Sequence, residues 1–122
     1  MSRFKIRKGI EYALKGNNNK LLEIDFLGIG GAFDTDEGNS SALLKTKGGK
    51  YLLIDCGYTS YFKIREKGLI DKIDRIFITH MHSDHVNGLS TLIYDRYYIH
   101  KLETIIECTE AVGKRLRQYL DI

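Results

Sequence analysis

Hydrophobic residues along this chain fall into short alternating or continuous runs separated by glycines and polar clusters, interspersed with stretches at helical spacing. Phe4 and Ile6 alternate with Lys5 and Arg7, which predicts a lead-in strand within residues 4–14, and Gly16 with Asn17, Asn18 and Asn19 predicts the turn that follows. Residues 21–27 alternate in part and predict a second strand. Residues 41–47 and 51–56 flank Gly48-Gly49, two strands joined by a tight hairpin. A helix is expected over residues 58–67, stopped by Gly68. Residues 73–79, rich in β-branched and aromatic side chains, read as a buried strand. Val86, Leu89, Leu92 and Ile93 then recur at helical spacing and predict one helix over residues 86–97. A strand over residues 103–108 and a last helix capped by Thr109 and running to Leu120 complete the series. Strands alternating with helices indicate an α/β fold.

Composition narrows this picture. A chain of 122 residues is one modest domain with enough length for a core. There is no proline to mark a linker and no internal repeat. Two units are expected: residues 1–20 as a basic lead-in strand and turn, and residues 21–122 as the body. The first 20 residues hold six basic side chains against Glu11, a net +5, so the remainder carries −2 of the total +3. A basic arm of this kind could meet RNA phosphates. Alternating basic residues on an edge strand also deter unwanted pairing, and that role takes precedence here. Cys56 and Cys108 match no zinc-knuckle or redox spacing and read as small buried hydrophobes. With no signal core and no run long enough to span a bilayer, no membrane is expected as partner and the cytoplasm is the expected location, a host's cytoplasm if a phage encodes the chain.

The candidate chemistry is concentrated after the strand over residues 73–79. His80, His82, Asp84 and His85 put three imidazoles and a carboxylate within six positions. If the backbone stays extended there, His80, His82 and Asp84 share one side, and His85 joins them at the start of the next helix. Imidazole with carboxylate suits zinc, with iron, manganese or nickel also accommodated. Four such ligands fit two ions better than one, with His80 and His82 on the first and Asp84 and His85 on the second, because a catalytic ion keeps an open position. Gly28-Ile29-Gly30-Gly31 is not a dinucleotide fingerprint, since Phe33 stands where a third glycine is needed and an acidic loop follows instead of a helix. A tight turn close to the metal loop accounts for it better.

His80-Met81-His82-Ser83-Asp84-His85 resembles the His-x-His-x-Asp-His signature of the metallo-β-lactamase superfamily. Phe26 to Phe33, Asn39-Ser40-Ser41 and Leu53-Ile54-Asp55-Cys56-Gly57 resemble further landmarks of its ribonuclease Z-like branch, in the expected order. Residues 88–94 with Tyr97-Tyr98 look most similar to anti-Pycsar phosphodiesterases, phage-type members that degrade cyclic pyrimidine nucleotides used as antiviral signals. The resemblance implies a four-layer αββα sandwich of which this chain is the first half. It also implies that His80 and His82 bind one metal, that Asp84 and His85 bind the other and orient the attacking water, and that Asp55 holds the loop from below by hydrogen bonds. Asp55 on its own reads equally as part of a strand-end turn. The later ligands of the family, two histidines and a bridging aspartate, have no counterpart. His100 comes too soon after His85 and is not expected to be a ligand.

The function implied is a zinc-dependent phosphodiesterase with two Zn2+ per complete site, or Mn2+ or Fe2+ in their place. Cyclic nucleotides are the favoured substrate and RNA ends the second. The chain is expected to be a segment of a longer hydrolase, with a homodimer or a complementing C-terminal half as partner. The alternative outside enzymology is a catalytically inactive half-domain that acts by association, because an uncovered apolar sheet face invites it.

Overall fold

The computed structural model describes residues 2–8, 20–34 and 36–120. They form a single six-stranded mixed sheet with helices: β1 (Phe4–Lys8), β2 (Leu21–Gly28), β3 (Ser41–Thr46), β4 (Tyr51–Ile54), α1 (Tyr58–Glu66), β5 (Ile73–Phe77), α2 (Ser83–Val86), α3 (Leu89–Tyr94), β6 (Thr104–Cys108) and α4 (Glu110–Leu120). In space the strands run β1-β6-β5-β4-β3-β2. The β2-β3-β4 meander is antiparallel, β4-β5 and β5-β6 pair in parallel through helical crossovers, and β1 pairs in parallel with β6 from the far end of the chain. The lead-in segment is thus an edge strand of the same sheet, with Phe4 opposite Thr104 and Lys8 opposite Cys108. The rest of the expected strand over residues 4–14, and the asparagine turn, lie outside the described residues.

The pleat explains which side is dry. Leu43, Leu53, Ile76 and Ile106 are register partners across β3, β4, β5 and β6, and none is more than 2% exposed. They share one cluster with Ile64 of α1, Leu89, Leu92 and Ile93 of α3, and Leu116 of α4. Each such side chain contributes about 1.5–3 kcal/mol of transfer free energy, so this face carries the fold. On the opposite face Leu22, Ile24 and Phe26 of β2 are 61%, 53% and 67% exposed. Their neighbours Ala42, Leu44 and Ile54 are half-buried. Across β5 and β6 the same face turns ionic: Arg75 Nη1 lies 2.5 Å from the Glu107 carboxylate, whose side chain is fully buried.

The helix expected over residues 86–97 is interrupted. It starts earlier as the single turn α2, breaks at Asn87-Gly88, resumes as α3 and widens into a π turn over Asp95–Ile99. Two long-range contacts override the local periodicity. At the break, Gly88 N–H donates to Cys56 O, 3.0 Å away. At the far end the buried Arg96 guanidinium donates to Thr104 Oγ1, Ile70 O and Glu103 O, which fastens the π turn to β6. The hairpin, α1 and α4 follow expectation to within a residue or two. No helix among the described residues is long and apolar enough to cross a membrane.

Candidate metal centre

β4 and β5 end side by side, Ile54 opposite Phe77, and the residues just beyond these ends build the site. Asp55 N–H donates to Phe77 O at 2.8 Å, and the backbone then turns with φ +59° at Asp55. A left-handed non-glycine residue costs about 1–3 kcal/mol unless its surroundings hold it, although aspartate tolerates the region better than most. Ser41 Oγ supplies part of that hold, 2.8 Å from Asp55 O and 3.1 Å from Ile54 O. The turn aims a 4%-exposed carboxylate at the loop that follows β5. Its Oδ1 accepts Thr79 N–H at 2.8 Å, and its Oδ2 lies 2.7 Å from both Thr79 Oγ1 and His85 Nδ1. Asp55 therefore sits under the loop and bonds to it three times.

The loop is docked as closely from its other side. Cys56 N–H donates to His85 O at 2.8 Å, next to the bond from Gly88 N–H to Cys56 O. Gly57 and Gly88 allow this approach: a Cβ on Gly57 would overlap the Asp84 carbonyl, and one on Gly88 would overlap the Gly57 carbonyl. Burial, reinforced by the Asp55 carboxylate, pushes the Cys56 thiol well up, so it stays protonated and packs as a small apolar group. The carboxamide of Asn39, 3.3 Å from Thr59 N and 3.4 Å from Gly31 O, ties the glycine turn to the start of α1.

His80, His82, Asp84 and His85 come together here, but not along an extended backbone. His82 is the extended residue before α2, and Asp84 and His85 belong to the helical turn itself. The expectation that His80, His82 and Asp84 share one side of an extended segment is corrected accordingly. Turn formation follows from His85 N–H reaching back to His82 O at 2.9 Å. The His80 ring centre lies 4.6 Å from that of His82 and 4.1 Å from that of His85. Asp84 Oδ2 is 3.3 Å from His85 Nε2. Among the described residues, Asp55, His80 and His85 each offer one ligand atom within 4.8 Å of the others. His100 stands apart, 3.6 Å from Asp95.

Thr79 escaped the sequence reading. Its hydroxyl is 2.7 Å from Asp55 Oδ2 and 2.8 Å from His80 Nδ1. The available signal was its place directly before the first histidine, at the end of a strand.

A groove of about 720 Å³, lined in part by Tyr61, Arg65, Tyr94, Tyr98 and His100, lies between α1 and the π turn and includes none of the clustered residues. A cleft of about 270 Å³ does reach Asp55, bounded by Phe26, Ile29, Ser41 and Ile54, on the bare side of the sheet.

A family model described as anti-Pycsar protein Apyc1 matches residues 22–120. The chain belongs to that family. An Apyc1 of Paenibacillus sp. is 42% identical over 78 residues, covering 63% of this chain and 31% of the relative. A ribonuclease Z of Salinibacter ruber is 44% identical over 73 residues, 59% of this chain and 23% of the relative. The metallo-β-lactamase fold protein YhfI of Bacillus subtilis superimposes with a TM-score of 0.69 at 23% identity, over 78% of this chain and 39% of that one, which establishes a shared fold. The expected resemblance to the superfamily, its ribonuclease Z-like branch and the Apyc1 members thus holds. This Apyc1-family chain spans less than half the length of the curated relatives it matches.

The imidazoles of His80, His82 and His85 with the Asp84 carboxylate beside them are a donor set that fits zinc, manganese or iron and does not suit calcium or magnesium, which prefer oxygen alone.

Proposed function

We propose that this chain carries the first half of the metal site of a phosphodiesterase that opens cyclic nucleotides. The observation that carries the reading is the proximity of the His80, His82 and His85 rings and the Asp84 carboxylate above a hydrogen-bonded Asp55, in a chain of the Apyc1 family. His80 and His82 are the ligands of one divalent ion, and Asp84 and His85 those of a second. When bound, such ions supply Lewis acidity toward a phosphoryl oxygen and lower the pKa of water to about 7. Asp84, half-buried at the mouth of the loop, orients the attacking water. Asp55 holds the His85 ring through Nδ1, leaving Nε2 as the metal-facing nitrogen. Thr79 N–H keeps that carboxylate in place from the loop side.

Completion of the site falls to residues that cover the bare face, from a C-terminal half or a second copy of the chain. Exposed Leu22, Ile24 and Phe26 support that reading, as does the cleft that reaches Asp55 from the same side. A second reading, hydrolysis of RNA ends, is favoured by the 44% identity to a ribonuclease Z.

Native mass spectrometry in zinc-supplemented volatile buffer is the first test, followed by hydrolysis of 3′,5′-cyclic UMP and cyclic CMP. A defined oligomer with two zinc ions per protomer and cyclic-nucleotide turnover that His82→Ala abolishes would mean that a second copy completes the site, whereas a metal-free or aggregating monomer would mark the chain as a segment that needs its downstream half. Turnover of an RNA 3′ trailer with none of either cyclic nucleotide would move the assignment to the second reading. A chain that binds no zinc and still associates would make it an inactive association module.

A further inference from the structure

We infer that Thr79 is a positioning residue for His80, and that its hydroxyl passes the orienting effect of Asp55 on to a second imidazole. Three short contacts in series carry this: His85 Nδ1 to Asp55 Oδ2 at 2.7 Å, Asp55 Oδ2 to Thr79 Oγ1 at 2.7 Å, and Thr79 Oγ1 to His80 Nδ1 at 2.8 Å. Counting protons along the chain leaves one arrangement. The Asp55 carboxylate only accepts, so both groups beside its Oδ2 donate, which puts a proton on His85 Nδ1 and spends the single hydroxyl proton of Thr79 on Asp55. The Thr79 oxygen is then left with lone pairs alone toward His80, and His80 Nδ1 must be the donor. Both rings therefore carry their proton on Nδ1 and present a bare Nε2, the form an imidazole needs to bind a metal.

One carboxylate thus sets two tautomers, one directly and one through an alcohol. The backbone keeps the relay in register, because Thr79 N–H is fixed on Asp55 Oδ1 at 2.8 Å and the hydroxyl has little freedom to turn elsewhere. Only serine and threonine can serve at this position. Valine keeps the shape and the backbone bond but removes the bridge.

This inference rests on the metal-site reading for its purpose but not for its test, which uses ring nitrogens in the metal-free protein. In long-range 1H–15N spectra at pH 8.5, wild-type His80 and His85 should both show the Nδ1–H pattern. Thr79→Val should convert His80 to a mixture dominated by Nε2–H and leave His85 unchanged, and Thr79→Ser should restore the wild-type pattern. Zinc affinity in a competition titration should fall at least about tenfold in Thr79→Val and within about twofold of wild type in Thr79→Ser, the usual scale for loss of an imidazole's supporting partner. An unchanged His80 tautomer in Thr79→Val would overturn the relay whatever zinc does, as would failure of Thr79→Ser to restore it. Tautomers as expected in a wild-type chain that takes up no zinc would instead uphold the relay and remove the metal site above it.

Discussion

The two faces of the sheet do different work. The face under α1, α3 and α4 holds nearly all the side chains that water cannot reach, in one continuous cluster. The other face bears Leu22, Ile24 and Phe26 in the open along β2 and a buried ion pair between Arg75 and Glu107 on β5 and β6. The first face is sufficient to define a fold within this chain. The second is shaped for contact with something more, and the cleft leading to Asp55 opens on it. Most of the buried apolar surface thus lies on one side of one layer of backbone, with the histidine loop at the strand ends.

Substitutions sharpen the contrast. Ile76→Ala, beneath the helices, should cost about 3 kcal/mol in urea unfolding, the middle of the range for emptying an isoleucine site. The matching truncation Ile24→Ala on the bare face should cost less than about 0.5 kcal/mol, and equal losses at both sites would erase the distinction between the faces. Arg75→Ala should approach the larger figure, roughly 3 kcal/mol, because it strands a carboxylate with no exposure. A loss near zero there would mean that water already reaches Glu107. Gly88→Ala should lower stability by about 1–3 kcal/mol and displace the metal loop, seen as weakened zinc binding, since the added methyl group meets the Gly57 carbonyl. Asp55→Asn should leave the fold in place but reduce zinc affinity about 10–100-fold in a competition titration. The smallest effect on stability belongs to the double change Ile24→Lys and Phe26→Lys. It should keep unfolding within about 0.5 kcal/mol of wild type while abolishing association in sedimentation velocity. An oligomer that survives this change would place the contact surface elsewhere.

Local pattern made much of this architecture legible. Alternation in residues 41–47 and 51–56 around Gly48-Gly49 specified the hairpin, because pleat and turn chemistry are properties of neighbours in sequence. The clustering of His80, His82, Asp84 and His85 was equally plain, since they fall within six positions. What stayed hidden depends on partners far along the chain. The break between α2 and α3 follows from a bond between Gly88 and Cys56, and the π turn from Arg96 reaching β6 and Ile70. Parallel pairing of β1 with β6 joins residues about a hundred positions apart, and no run of five residues can announce that. Asp55 was visible as the end of a strand, whereas its triple attachment to the loop required the backbone turn that aims it. Thr79 was passed over because a hydroxyl becomes informative only when both of its neighbours are known.

The left-handed backbone at Asp55 has a bearing on how this segment can change over time. Two separate filters act on that one codon: the main chain admits glycine, asparagine or aspartate with least strain, while support of His85 and Thr79 demands a carboxylate. A lineage that abandoned metal chemistry would be released from the second filter but not from the first. Its descendants should drift to asparagine or glycine at position 55 and stop there, so the residue found at this turn would tell a retired copy of the scaffold from a working one.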